Sequence, residues 1–175
     1  MANVCFKGKE IITYGELPRL GSTVPELWVT SVDLEEVCVT RNDSEFTILN
    51  IVPSLDTGVC AASAREFDER TVSMLDVQVN TVSRDLPFAL HRFLRHENLR
   101  HTRLFSSVRD TSFGDTLGVT IVSGPLKGLF ARAVFLLDSG SRLLYCELVP
   151  DVSQEPDYTS VFSEVEKHRN QGAPR

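Results

Sequence analysis

The feature that most constrains this chain is an almost continuous apolar run at residues 46–52, Phe-Thr-Ile-Leu-Asn-Ile-Val, which stops at Pro53. A run with so little polar alternation suits a strand covered on both faces, in the interior of a layered sheet. After the turn residues Ser54 to Thr57, the stretch Ala61-Ala62-Ser63-Ala64-Arg65-Glu66-Phe67 forms helix readily and holds no proline. Thr57 is placed to act as the N-cap, which makes Gly58, Val59 and Cys60 the first helical turn. Backbone N–H groups lack internal partners there and the macrodipole is positive. A thiolate is favoured in such a place, because helix N-termini and neighbouring cations are the environments that lower a cysteine pKa from about 8.5 toward neutrality or below.

The rest of the chain alternates in the same manner. Residues 4–6 and 11–14 read as two short strands around a turn at residues 7–10, a hairpin. Candidate strands follow at residues 27–30 and 36–40, with a polar loop at 41–44, and another at 77–82, so that strand, helix and strand make a βαβ unit. Pro87 opens a helical stretch over 88–99, and 113–117 is a short helical piece. Apolar runs at 131–137 and 143–148 flank the turn signal Asp138-Ser139-Gly140-Ser141. Tyr158, Val161, Phe162 and Val165 are spaced as one face of a terminal helix, and residues 170–175 are expected to be a disordered tail. The alternation gives an α/β fold, a sheet of mixed direction with helices on its faces. There is no repeat or interdomain linker, so residues 1–169 are expected to form one domain, and 175 residues suffice for a core without disulfide support.

Hydrophobic residues at 42% and charged residues at 24% are ordinary globular values. A net charge of −6 argues against a generic nucleic-acid binder. No apolar run is long enough to cross a bilayer and the N-terminus has no apolar signal core, so a soluble, cytoplasmic protein is expected, with neither nucleic acid nor membrane as partner. The four cysteines, at 5, 38, 60 and 146, are widely spaced and form no CxxC, so neither a zinc site nor a dithiol motif can be read from them and a reducing compartment fits best. Cys38 and Cys146 lie within strand-like patterns and read as small buried hydrophobes, while Cys5 lies near an end that can fray.

Arg132, in Phe130-Ala131-Arg132-Ala133-Val134, places a charge inside an apolar strand, where an unpaired guanidinium is costly. It needs an anionic partner, and the ordinary expectation is a structural salt bridge with one of the 24 acidic residues. Arg109 reads as a solvated or Asp110-paired arginine. The segment from Arg84 to Arg103, with Arg92, Arg95, Arg100, His91, His96 and His101, reads as a solvated basic face: the histidines are five apart and no acidic or cysteine cluster joins them at metal-ligand spacing. Gly124-Pro125-Leu126-Lys127-Gly128 is too short for a phosphate-binding loop and reads as a turn.

Pro53, Thr57 and Cys60 match the PxxxTxxC signature of peroxiredoxins, and the words SLDTGVCAAS at 54–63, DLPFA at 85–89, GPLKGLFARAV at 124–134 and EPDY at 155–158 resemble those of the bacterial thiol peroxidase subfamily, in its order and approximate spacing. The resemblance implies a thioredoxin-like fold with an N-terminal β-hairpin, a homodimer, no cofactor or metal, and reduction of hydrogen peroxide and organic hydroperoxides with electrons from thioredoxin or another thiol. It implies that Cys60 is the attacking thiolate and becomes a sulfenic acid. Thr57 would hold its hydroxyl near thiolate and peroxide, the backbone N–H groups of Val59 and Cys60 would add fixed dipoles, and Pro53 would close the pocket against water. Arg132, in the ARA word, would face the cysteine and donate to the peroxide, with Arg109 as a weaker auxiliary candidate. One departure stands out: where many thiol peroxidases carry a resolving cysteine this chain has Leu94, so the usual internal disulfide cannot form and an external thiol is expected to resolve Cys60. That absence gives some weight to a redox sensor or relay with little steady turnover. A cysteine hydrolase would need a histidine base beside Cys60, available only from His91, His96 or His101, and no papain- or caspase-like signature surrounds the cysteine.

Overall fold

The computed structural model describes residues 1–41 and 43–172. A two-stranded hairpin, β1 (Asn3–Phe6) and β2 (Lys9–Ile12), precedes β3 (Trp28–Ser31), β4 (Glu36–Cys38) and β5 (Phe46–Ile51). Then come α1 (Gly58–Arg70), β6 (Val77–Ser83), α2 (Pro87–Glu97), β7 (Thr102–Ser106), α3 (Ser112–Thr116), β8 (Ala133–Asp138), β9 (Leu143–Leu148) and α4 (Tyr158–Gly172). β3 to β9 form one mixed sheet in the order β4-β3-β7-β6-β5-β8-β9. β5, β6 and β7 run parallel at its centre and β8 pairs antiparallel with β5.

The apolar run is explained by this order, since every residue of β5 is buried. Leu49 and Ile51 face one cluster with Phe105, Phe113, Phe130 and Phe135. Phe46 and Ile48 face the other, where Phe67 of α1 and Val161 and Val165 of α4 close the opposite layer. At the end of β5 nearest Cys60, α1 and α2 share a smaller cluster of Val52, Leu55, Cys60, Ala64, Leu90 and Leu104. Each large apolar side chain so buried contributes roughly 1.5–3 kcal/mol relative to exposure. The fold is the expected mixed α/β sheet flanked by helices, with its N-terminal hairpin.

Three details differ from expectation. The hairpin turn is tighter than residues 7–10: Lys7 and Gly8 alone turn the chain, at φ 51° and 75°, and β2 already begins at Lys9. β7 was not expected, because Arg100, His101 and Arg103 mask its alternation; its Thr102, Leu104 and Phe105 are buried beside β6 while Arg103 stays exposed. Finally, α4 continues through residues 170–172, which were assigned to the tail; Arg169 is fixed to Asp76 by two hydrogen bonds of 2.8 Å, which anchors the last turns. The remainder of the expected tail lies outside the described residues.

Candidate active site

The site begins where β5 ends. Val52 N–H still pairs with the Val82 carbonyl at 3.1 Å, and Pro53, buried and without an N–H, breaks the ladder. The loop that follows is tied to the turn after β6 by Asp85. Its carboxylate accepts from Ser54 Oγ at 2.7 Å, from Leu55 N–H at 2.8 Å and from Ser83 Oγ at 2.8 Å. The Ser54 carbonyl in turn accepts from Thr57 N–H at 3.2 Å and Thr57 Oγ1 at 3.0 Å. Thr57 therefore occupies the N-cap position with extended dihedrals, but its hydroxyl points back to Ser54 and no side-chain hydrogen bond caps α1. The first-turn N–H groups and their positive potential are left for something other than a cap.

Cys60, in that first turn, has no exposed surface, and Arg132 is 1% exposed. Arg132 lies immediately ahead of β8 rather than within it. Its Nη2 donates to Cys60 Sγ at 3.3 Å and to the Val152 carbonyl at 3.1 Å, and Nε donates to the same carbonyl at 3.3 Å. Nη1 is buried without a hydrogen-bond partner among the described residues. The salt bridge expected of an ordinary buried arginine is absent among those residues. A neutral carbonyl holds the guanidinium in place, so its charge is not consumed by a carboxylate and is directed at the sulfur. A buried cation in that situation favours a negative charge beside it.

Above this pair opens a hollow of about 330 Å³, whose lining includes Pro53, Thr57, Val59, Arg132, Val152, Phe6 and Lys7 of the hairpin, Leu126 of the 124–128 turn and Leu129 just after it. The structure thus brings Pro53, Thr57 and Arg132 to one cavity; Cys60 is not in its lining but lies buried behind Arg132, its sulfur 3.3 Å from Nη2. A second hollow of about 340 Å³ lies on the other side of the start of α1, against α2, lined by Leu55, Asp56, Thr57, Gly58, Ala61, Arg92, Phe93, His96 and Glu97.

Other candidates are elsewhere. Arg109 lines a separate depression with Trp28 and Glu36. All four cysteines are free thiols. Cys38, the last residue of β4, has its Sγ 3.3 Å from Thr40 Oγ1, and Cys146 packs against the cluster of Leu49 and Ile51, where burial pushes its thiol pKa up. Leu94 is half-buried against the Cys60 cluster, a packing position. No group of three or more potential metal ligands occurs among the described residues. The functional geometry that sequence reasoning missed is the Asp85–Ser54 tie and the Val152 carbonyl. Asp85 had a signal, its place in the DLPFA word; a backbone carbonyl offers none.

With this geometry established, comparisons with known proteins place the chain. The Redoxin family model matches residues 19–162. A thiol peroxidase of Corynebacterium glutamicum is 40% identical over 93% of this chain and 98% of its own length, and one of Mycobacterium tuberculosis is 42% identical over the same shares. Among solved structures, a peroxiredoxin-like protein from Aquifex aeolicus superposes with a TM-score of 0.90 at 36% identity, covering 95% of this chain and 97% of that one. A thiol peroxidase from Chromobacterium violaceum shares the fold at a TM-score of 0.88 and 20% identity, over 97% of this chain and 98% of that one. The chain belongs to the redoxin family, in its peroxiredoxin branch alongside the bacterial thiol peroxidases.

Proposed function

We propose that this protein is a thiol-dependent peroxidase that reduces hydrogen peroxide and organic hydroperoxides at Cys60. The observation that carries the reading is the buried guanidinium of Arg132, 3.3 Å from Cys60 Sγ with a second amino group unpaired at the base of a cavity. The Cys60 thiolate attacks the terminal oxygen of the hydroperoxide in line with the O–O bond. That bond breaks, the alkoxide takes a proton and leaves as alcohol, and Cys60 becomes a sulfenic acid. Arg132 Nη1 and the first-turn N–H groups are donors to the peroxide oxygens, fixed before the reaction, which is the condition under which electrostatic stabilisation is most effective. Thr57 holds its hydroxyl at the cavity, and Pro53 shields the loop from water.

The second half of the cycle needs two external thiols. The first condenses with the sulfenic acid, releasing water and leaving a mixed disulfide; the second displaces Cys60 and leaves as the oxidised reductant. The absence of a thiol at Leu94 supports external resolution, by thioredoxin or another thiol reductant, and the family resemblance supports a homodimer in the cytoplasm. No helix among the described residues is long and apolar enough to cross a membrane.

The test is steady-state hydroperoxide consumption driven by thioredoxin or dithiothreitol, with intact mass recorded after one equivalent of peroxide. Expected are sustained turnover and a dimedone-trapped sulfenic acid on Cys60. Oxidation without turnover indicates a sensor or relay, and loss of two hydrogens in the monomer, mapped to Cys60 with Cys5, Cys38 or Cys146, identifies an internal resolver.

A further inference from the structure

The hairpin turn that the fold adds beside the cavity is fixed to the reacting centre. Lys7 sits in the left-handed region at φ 51° and is followed by Gly8 at φ 75°. Their N–H groups donate to the two carboxylate oxygens of Asp151, at 3.3 and 3.1 Å. Asp151 also accepts from Ser153 N–H at 2.9 Å and Ser153 Oγ at 2.5 Å, and the residue between them, Val152, supplies the carbonyl that holds Arg132. Position of the turn and position of the guanidinium are therefore set by the same short segment.

On this fixed turn the Lys7 ammonium lies 5.4 Å from the centroid of the Phe6 ring, an attraction that keeps it against the cavity wall. It forms no ion pair among the described residues. The cavity lining contains two cations, Arg132 at the base and Lys7 at the rim, and no carboxylate; between them it is walled by apolar side chains such as Phe6, Leu126, Leu129 and Val152. Asp151 lies outside the lining with its oxygens already engaged. A cationic reacting end, an apolar middle and an unpaired cation at the mouth complement a molecule with the reverse layout.

Granted the peroxidase reading above, we propose that Lys7 is a specificity-determining residue that selects hydroperoxides bearing a carboxylate at the far end of an apolar body. The hydroperoxide group goes to Cys60 and Arg132, the hydrocarbon lies along the apolar wall, and the carboxylate meets the Lys7 ammonium at the rim. An ion pair exposed at a cavity mouth is worth a few-fold in the ratio of rates, roughly threefold to fivefold, and is screened by salt.

The experiment compares kcat/KM for the hydroperoxide of a medium-chain carboxylic acid with that of its methyl ester, in wild type, Lys7→Gln, Lys7→Arg and Lys7→Glu, at low and high salt. The acid-to-ester ratio is an internal standard, unaffected by general damage from a substitution. The expected ratio is about three to five in wild type and Lys7→Arg, about one in Lys7→Gln, below one in Lys7→Glu, and close to one everywhere in 0.5 M NaCl. Equal turnover of acid and ester by wild type, or a preference that survives Lys7→Gln, overturns the proposal and leaves the peroxidase reading standing. Faster turnover of a phospholipid hydroperoxide presented in neutral vesicles than of the free acid also overturns it, by assigning the cavity to membrane-borne substrate. If neither organic substrate nor hydrogen peroxide is consumed, the peroxidase reading itself falls and takes this one with it.

Discussion

The two hollows that meet at the start of α1 are held together in different ways. On the hairpin side the polar groups are fixed by hydrogen bonds to charged groups: half-buried from Ser54 to Asp85, buried from Arg132 to the Val152 carbonyl, and exposed from the hairpin turn to Asp151. On the α2 side the lining is joined by surface ion pairs. Arg92 and Asp56 approach to 3.9 Å with side chains 76% and 69% exposed, and Arg65 meets Glu97 at 2.7 Å from a side chain 48% exposed. Exposed pairs of this kind contribute about 0–1 kcal/mol, whereas hydrogen bonds to charged groups contribute about 1.5–3 kcal/mol. The wall that carries Arg132 is thus fixed by hydrogen bonds to charged groups, and the α2 wall, with Arg92 and Glu97, is joined by exposed ion pairs; Leu94 lines neither, facing a separate hollow with Val32, Leu99 and Leu104. On the peroxidase reading, the groups that serve the oxidising half-reaction are the ones the fold fixes most tightly, and the α2 side is the one free to yield when a second thiol approaches.

The largest expected effect breaks the comparison outright if it fails. Cys60→Ser should abolish hydroperoxide consumption with dithiothreitol as reductant, because no other thiol lies in a first helical turn beside a buried arginine. Activity that survives in Cys60→Ser and disappears in Cys38→Ser or Cys146→Ser would move the chemistry away from the hairpin side.

Arg132→Met comes next. Losing a fixed donor of this kind costs about 10²–10³-fold in rate, so the bimolecular rate constant for Cys60 with hydrogen peroxide, followed by stopped flow at neutral pH, should fall by that order. Arg132→Lys should recover only part of it, since one ammonium can replace Nη2 between the Val152 carbonyl and the sulfur but supplies neither the second bond from Nε nor the free Nη1 donor. Near-ultraviolet circular dichroism shows whether each variant is folded. A folded Arg132→Met protein with unchanged rate would make the arginine purely structural.

These two residues were legible in the sequence, and the reasons show where legibility ends. Cys60 and Thr57 could be placed because a buried strand, a proline break and helix-forming residues fix the chain direction locally. Arg132 stood out because a charge in an apolar run demands an explanation, yet the residues alone pointed to a carboxylate partner; a carbonyl from residue 152 and a sulfur from residue 60 answer the demand through the sheet, which no local pattern contains. β7 was hidden for a related reason: its strand character derives from pairing with β6 and β3, while its own residues look solvated. Thr57 had the right position and the wrong bond, since the N-cap preference of threonine does not reveal that Ser54 offers its hydroxyl a competing acceptor.

Asp85→Ala tests the rigid side through a residue that does not touch the sulfur. It removes the acceptor for Ser54 Oγ, Leu55 N–H and Ser83 Oγ, and so frees the loop whose carbonyl holds Thr57. The peroxide step should slow about tenfold, the equivalent of losing one hydrogen bond to a charged group. Ser54→Ala should slow it less, and the double variant should be no worse than Asp85→Ala alone, because the two act as one unit. As the matched control on the loose side, Arg65→Ala should change the folding stability by less than about 1 kcal/mol in urea. A larger loss there than from Asp85→Ala would reverse the comparison.

The smallest effect concerns Asp151, which clamps the hairpin turn to the segment bearing Val152. Hydrogen bonds from Ser153, Gly8 and Lys7 hold its carboxyl down at about 2. An unfolded aspartate titrates near about 3.9. The folded state therefore binds the carboxylate form more tightly, and the resulting stability is fully present above about pH 4 and is lost as pH falls through about 2. Asp151→Asn keeps the shape of the side chain and abolishes its titration. The variant should melt a few degrees below wild type at pH 6, the difference should narrow between pH 4 and pH 2, and at the acid end the two should coincide. Melting temperatures at pH 6, 4 and 2.5 decide it, and a difference independent of pH would mean that the hairpin is held to the site by its backbone pairing to residues 150–152 rather than by this carboxylate.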